Sequence, residues 1–82
     1  MSTTLTLSQF ETIDGLYASL IRMGDFEQCD DPRGYIRTSN RLLDACIDAI
    51  GYDAVDAFAS AEDCAADLIC RALSSATLVL AA

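Results

Sequence analysis

The feature that most constrains the fold is an apolar pattern that returns every three or four residues. In the first third of the chain this stripe is formed by Phe10, Ile13, Leu16, Tyr17, Leu20 and Ile21. Such spacing places side chains on one face of an α-helix, whereas a half-buried strand alternates every second residue. A second stripe follows in the middle of the chain, and its members are Tyr35, Leu42, Leu43, Cys46, Ile47 and Ile50. The sequence therefore predicts amphipathic helices.

Capping signals divide the pattern into separate helices. The first helix is predicted to begin at a capping box, made by Thr6 with Gln9 or by Ser8 with Glu11. Gly24 is predicted to end it, because glycine readily takes the backbone conformation that closes a helix.

The second helix is predicted over residues 32–50. Asp31 is a favourable N-cap and the proline that follows it suits the first turn. Weak helix formers in the next turns leave open a later start near Thr38 or Ser39. Gly51 is predicted to close this helix.

The last third predicts a short helix followed by a long one. Asp53 is expected to begin the short unit, and Ser60 with Asp63 to cap the long one, although a single continuous helix remains an alternative. The apolar end, residues 76–82, is expected to extend or dock the last helix, and its final Leu80-Ala81-Ala82 resembles the end of a bacterial degradation tag. We expect a single all-α domain over residues 1–82, a bundle of three to four helices.

The charge of the chain restricts its binding partners. Thirteen acids stand against five arginines, with no lysine or histidine, and the net charge is −8. Nucleic acids and anionic membranes bind through basic side chains, so we expect neither as a direct partner. An acidic surface attracts basic proteins instead, including proteins that themselves bind nucleic acid.

The sequence contains no pattern typical of a catalytic, metal or cofactor site. Four cysteines lack a close C-x-x-C pair and a histidine, so those in helices (Cys46, Cys64 and Cys70) are expected to act as small apolar residues. Acids four apart, Asp44 with Asp48 and Asp63 with Asp67, are expected on solvated faces. We therefore expect neither an enzyme acting alone nor a bound cofactor.

The candidate site is a charge boundary between the first two long helices. Its acidic half, residues 25–31, contains four acids in seven residues: Asp25, Glu27, Asp30 and Asp31. The spacing does not fit a calcium loop, which needs glycine at its sixth position and glutamate at its twelfth. Phe26 is expected to fold back onto the core. We call residues 25–31 the acidic loop and predict that it contacts a partner.

The basic half of the boundary is a set of arginines four residues apart, which we call the arginine row. Its members are Arg33, Arg37 and Arg41. On a helix they lie along one face. The favoured interpretation is that they pair with acids of the loop or of neighbouring helices. The alternative is that they bind an acidic patch on a partner, since arginine is suited to bidentate pairing.

These features favour an acidic protein-binding module. In size and charge the chain resembles small, acidic, phage-encoded inhibitors of the anti-CRISPR and anti-restriction kind. That resemblance implies an inhibitor docking on a basic, nucleic-acid-binding surface, with carboxylates placed where phosphates would lie. The start of the chain lacks the basic and apolar segments of a signal peptide, so a cytoplasmic location in a bacterial or phage-infected cell is expected.

Two other function classes stay open. A homo-oligomer or accessory subunit, including a homodimer, would assemble through apolar helix faces and the C-terminal tail, with the acidity serving solubility. A carrier of a small ligand would need a sizeable apolar pocket with convergent polar groups.

Overall fold

The computed structural model describes the backbone over residues 5–81 and side chains over residues 5–74. Its helices, in chain order, are α1 (Leu7–Met23), α2 (Pro32–Ile50), α3 (Tyr52–Asp56) and α4 (Ala61–Ala81), and this described part contains no strand. The all-α prediction is confirmed, with four helices. Among these residues no helix combines the length and apolar character needed to cross a lipid bilayer.

Local capping chemistry sets most helix starts. Thr6 and Gln9 form the predicted capping box, in which the Gln9 N–H donates to Thr6 Oγ1 at 3.1 Å and the Thr6 N–H donates to Gln9 Oε1 at 3.0 Å. Leu5 and Phe10, on either side of the box, both pack against the core, as expected of a hydrophobic staple. At α4, Ser60 Oγ accepts the Asp63 N–H at 3.1 Å, as predicted.

One predicted boundary is confirmed and another is corrected. The second long helix runs over Pro32–Ile50, as predicted, and the alternative start near Thr38 or Ser39 is wrong, because the Asp31 cap outweighs the weak helix formers that follow. The short helix begins at Tyr52, directly after Gly51, so Asp53 lies within its first turn and does not cap it. Because α3 and α4 are separate helices, the alternative of one continuous helix is wrong.

The core lies where α1, α2 and α4 meet, and α3 covers its edge with one buried side chain, Val55. The other buried residues are Ile13, Leu20, Leu42, Cys46, Cys64, Ala65, Leu68 and Ile69. Burying a side chain of leucine or isoleucine size contributes about 1.5 to 3 kcal/mol relative to leaving it exposed. This shared core fixes the relative positions of α2 and α4, which both contribute to the candidate site described below.

The cysteines divide between the core and the surface. Cys46 on α2 and Cys64 on α4 are fully buried, which confirms the prediction that they act as small apolar residues. Burial raises the pKa of the Cys46 thiol to about 12. The same prediction is wrong for Cys70, which is exposed. It lies one residue past buried Ile69, where the helix turns its face from the core to the solvent.

Candidate functional site

The acidic loop follows a glycine, Gly24, whose backbone conformation other residues rarely adopt. Gly24 has φ of +77°, a region that side-chain-bearing residues rarely adopt, and its N–H donates to the carbonyl of Ile21 at 3.2 Å. The chain then turns at once, because the Gln28 N–H donates to the Asp25 carbonyl at 3.0 Å. The loop therefore starts as an ordered turn.

Side-chain contacts tie this turn to two helices. The Phe26 ring packs edge-on against Tyr35 of α2, with ring centroids 5.5 Å apart and planes inclined at 62°. The Tyr35 hydroxyl in turn donates to Glu62 Oε1 on α4 at 2.7 Å. Within the loop, the Cys29 thiol donates to the Phe26 carbonyl at 3.2 Å. We call the contact chain from Phe26 through Tyr35 to Glu62 the loop anchor.

The loop anchor corrects one prediction and adds a contact that the sequence did not indicate. Phe26 remains 45% exposed and packs on Tyr35 rather than inserting into the core. The hydrogen bond to Glu62 raises the pKa of Tyr35, with further contributions from burial and from the negative charges nearby. Tyr35 and Glu62 are 27 residues apart, so no local spacing rule could pair them.

The four acids of the loop have different roles. Asp31 caps α2, since its Oδ1 accepts the Gly34 N–H at 3.0 Å. Gly34 is buried at this contact, and a Cβ there would lie 2.7 Å from the Asp31 Cγ. Asp25, Glu27 and Asp30 are exposed, and their carboxylates form no hydrogen bond or ion pair within residues 5–74. Three of the four predicted site acids are therefore available to a partner.

The arginine row lies on the solvent face of α2. Arg33, Arg37 and Arg41 are all exposed, and none forms an ion pair with the side chains that the structure describes. The favoured expectation, that the row pairs with neighbouring acids, is therefore not met in this part of the chain. One reason is local: Asp31 at the helix start points back to the Gly34 N–H instead of outward to Arg33.

The predicted carboxylate pairs behave as surface groups. Asp44 and Asp48 are exposed on α2, and they border a groove with the first turns of α1.

Asp67 forms an ion pair with Arg71, with the Arg71 Nε 3.0 Å from the Asp67 Oδ2. The acid precedes the base by four residues on one helix, which is the favourable order. The i,i+4 spacing could have predicted this pair from the sequence. Across the described residues, no group of His, Cys, Asp or Glu side chains is arranged to hold a metal ion.

An open cleft of about 330 Å³ lies between α2 and α3. Asn40, Leu43, Tyr52 and Val55 contribute to its walls. Tyr52 is 64% exposed, so the cleft is a surface feature beside the arginine row.

Comparison of the chain with protein-family models, with curated proteins and with solved structures found no match. The interpretation of the site therefore depends on its own geometry and charge.

Proposed function

We propose that this protein is an acidic binding module that docks its acidic loop onto a basic surface of a larger protein. The observation that supports this most directly is the state of Asp25, Glu27 and Asp30. Their carboxylates are exposed and unpaired within the described residues, although three arginines follow closely in the sequence. Carboxylates that have no structural partner remain available to bind a cationic surface.

The loop anchor supports the proposal because it limits the entropy lost on binding. A free loop must be ordered when it docks, and each immobilised side chain costs about 0.5 to 1.5 kcal/mol. Here Phe26 packs on Tyr35, and Tyr35 is hydrogen-bonded to Glu62, so the turn at residues 25–28 is already held against two helices. The acids are thus presented from a supported surface.

The net charge favours a nucleic-acid-binding protein as the partner. A chain of charge −8 attracts a strongly basic groove from a distance and accelerates encounter with it. Such a groove binds phosphates through cationic side chains. The carboxylates of the acidic loop would pair with the same side chains. We propose that docking inhibits the partner by competition with nucleic acid, in the cytoplasm of a bacterial or phage-infected cell.

Capture from lysate of the source cell tests the proposal. The native chain is compared with Asp25→Asn/Glu27→Gln/Asp30→Asn, a variant that leaves the Asp31 cap intact. We expect the native chain to retain a basic protein at low salt and to release it as salt rises, and the variant to retain much less. Mass spectrometry identifies the captured protein.

The matched control is Asp53→Asn/Asp56→Asn/Asp63→Asn, which removes the same number of negative charges from exposed positions outside the loop. If only net charge matters, the two triple variants lose capture equally. Undiminished capture by the loop variant, with loss in the control, would move the contact to α3 and the start of α4. Failure of the captured protein to bind nucleic acid at all would reject the inhibition step.

A further inference from the structure

Two arginines and two aspartates are regularly arranged on the exposed face of α2, which also carries Arg41. Arg33, Arg37, Asp44 and Asp48 are separated by steps of four, seven and four residues, and all four are exposed. At 100° per residue these positions fall within about 60° of the helix circumference, so they form one straight row, which we call the mixed row and which does not include Arg41. The first half of the row is basic and the second half is acidic.

This order of charges is unfavourable for the helix on its own. A helix is stabilised by acids near its N-terminus and bases near its C-terminus, whereas the first turn of α2 contains no acid and the last turn no base. Arginines four residues apart on a helix also repel each other, as do Asp44 and Asp48. No ion pair within the described residues offsets these terms. The arrangement therefore has no stabilising role in an isolated chain.

The same arrangement is complementary to itself when α2 is reversed. The midpoint between Arg33 and Asp48 lies between Asn40 and Arg41, and the midpoint between Arg37 and Asp44 lies at the same place. A two-fold axis placed at this level, beside the exposed face and perpendicular to the helix, lays a second α2 antiparallel to the first. Arg33 then faces the partner's Asp48, and Arg37 faces the partner's Asp44. Both pairs repeat by symmetry, as in any isologous interface.

We propose that this face of α2 is a homodimer interface, with a second copy of the chain as its occupant. The proposal uses the α2 face and leaves the acidic loop free, so it is independent of the proposed function. In the antiparallel pair the two acidic loops lie at opposite ends of a helix about 28 Å long. The dimer thus presents two copies of the loop.

Apolar side chains along one edge of the row support an interface. Ile36 is 49% exposed and Leu43 is 36% exposed, and they are seven residues apart on α2. The two-fold axis keeps this edge on the same side in both copies, so Ile36 lies alongside the partner's Leu43. Tyr52 borders the same edge through the cleft between α2 and α3. Burial of these groups adds the apolar contact that charge pairing lacks.

Charge favours a second copy over an acidic partner for this face. An acidic partner would satisfy the arginines but would be repelled by Asp44 and Asp48 in the same row. A second copy pairs all four of these groups and leaves Arg41 beside the two-fold axis, next to the partner's Arg41. The overall repulsion between two acidic chains acts over distance and is screened beyond about 8 Å at physiological ionic strength, whereas the paired groups are in contact.

A charge-swap experiment tests the interface. One variant, Arg33→Glu/Arg37→Glu, makes all four positions of the mixed row acidic, and the other, Asp44→Arg/Asp48→Arg, makes all four basic. We expect the native chain to sediment as a dimer and each variant alone as a monomer. An equal mixture of the two variants should form a heterodimer, identified by its mass in native mass spectrometry.

The variants have a built-in folding control. Acids at the start of α2 and bases at its end agree with the helix dipole, so each monomer should retain its helical circular dichroism. A native chain that stays monomeric up to its solubility limit would overturn the proposal. So would variants that remain dimeric alone, which would place the interface elsewhere, or a mixture that stays monomeric. If the native monomer captured an acidic protein and Arg33→Glu/Arg37→Glu did not, this face would bind that protein and not a second copy.

Discussion

Asp31 shows how one acid of a charged loop can be structural while its neighbours are not. Its side chain accepts the Gly34 N–H, one of the donors that a helix start leaves unpaired. The sequence predicted this role from the aspartate and proline at the start of α2, because capping depends on residues adjacent in the chain. It could not predict that Gly34 would be buried against the cap, which depends on how closely the carboxylate approaches the backbone.

The capping role predicts a specific pair of results. Asp31→Ala should lower the free energy of unfolding by about 1 kcal/mol, since the Gly34 N–H loses its acceptor. Asp31→Asn should retain most of that stability, because an amide oxygen also caps. Urea denaturation of both variants measures the difference. Equal losses in the two variants would show that the charge of Asp31 matters and its hydrogen bond does not.

Cys46 makes stability depend on pH in the alkaline range. Its pKa rises from an ordinary 9.0 to about 12 on folding because the thiol is buried. Between these values the folded chain holds a proton that the unfolded chain has lost. The free energy of unfolding should therefore fall as pH rises above 9, with Cys46 contributing at most about 1.4 kcal/mol per pH unit.

Cys46→Ala tests this dependence. The variant should be less stable than the native chain at neutral pH, because it leaves a cavity, but its stability should fall less steeply above pH 9. Cys70→Ala, which removes an exposed thiol, is the control. The measurement is urea denaturation at a series of pH values from 7 to 11. Parallel stability curves for Cys46→Ala and the native chain would contradict the prediction.

At the scale of elements, the helices were predictable and the loop anchor was not. Apolar spacing and caps are local properties, so they located α1, α2 and α4 closely. The start of α3 was misplaced because Asp53 resembles a cap, whereas Gly51, with φ of +88°, lets the chain re-enter a helix directly. The contact between Tyr35 and Glu62 depends on how α2 and α4 pack, which spacing along one helix does not encode.

Tyr35→Phe tests whether the anchor holds the acidic loop. Loss of the hydroxyl leaves Glu62 without its donor and should lower the free energy of unfolding by about 1 kcal/mol. Tyr52→Phe, at an exposed tyrosine that forms no hydrogen bond with the part of the chain that the structure describes, should have little effect. The Gln28 amide, which closes the turn, should exchange its hydrogen faster in Tyr35→Phe. Unchanged exchange at Gln28 would mean that the anchor does not order the loop.

At the scale of the whole molecule, acidity narrows the class of partner but does not locate the contact. Every helix contains acids, but the acidic loop has priority as a predicted site because it contains four acids in seven residues and no base. The structure refines that choice to Asp25, Glu27 and Asp30, since Asp31 is used as a cap. It also separates the arginine row from the loop, because the row extends along the exposed face of α2 toward Asp44 and Asp48.

The most direct test of the proposed docking is the association rate of the captured partner as a function of ionic strength. Surface plasmon resonance would compare the native chain with two variants. One is the loop variant, Asp25→Asn/Glu27→Gln/Asp30→Asn, and the other is the matched control, Asp53→Asn/Asp56→Asn/Asp63→Asn. We predict that the loop variant associates more slowly than the control at low salt and that its rate depends less on salt, because steering acts through charges near the contact. Equal rates and equal salt dependence in the two variants would contradict docking through the acidic loop.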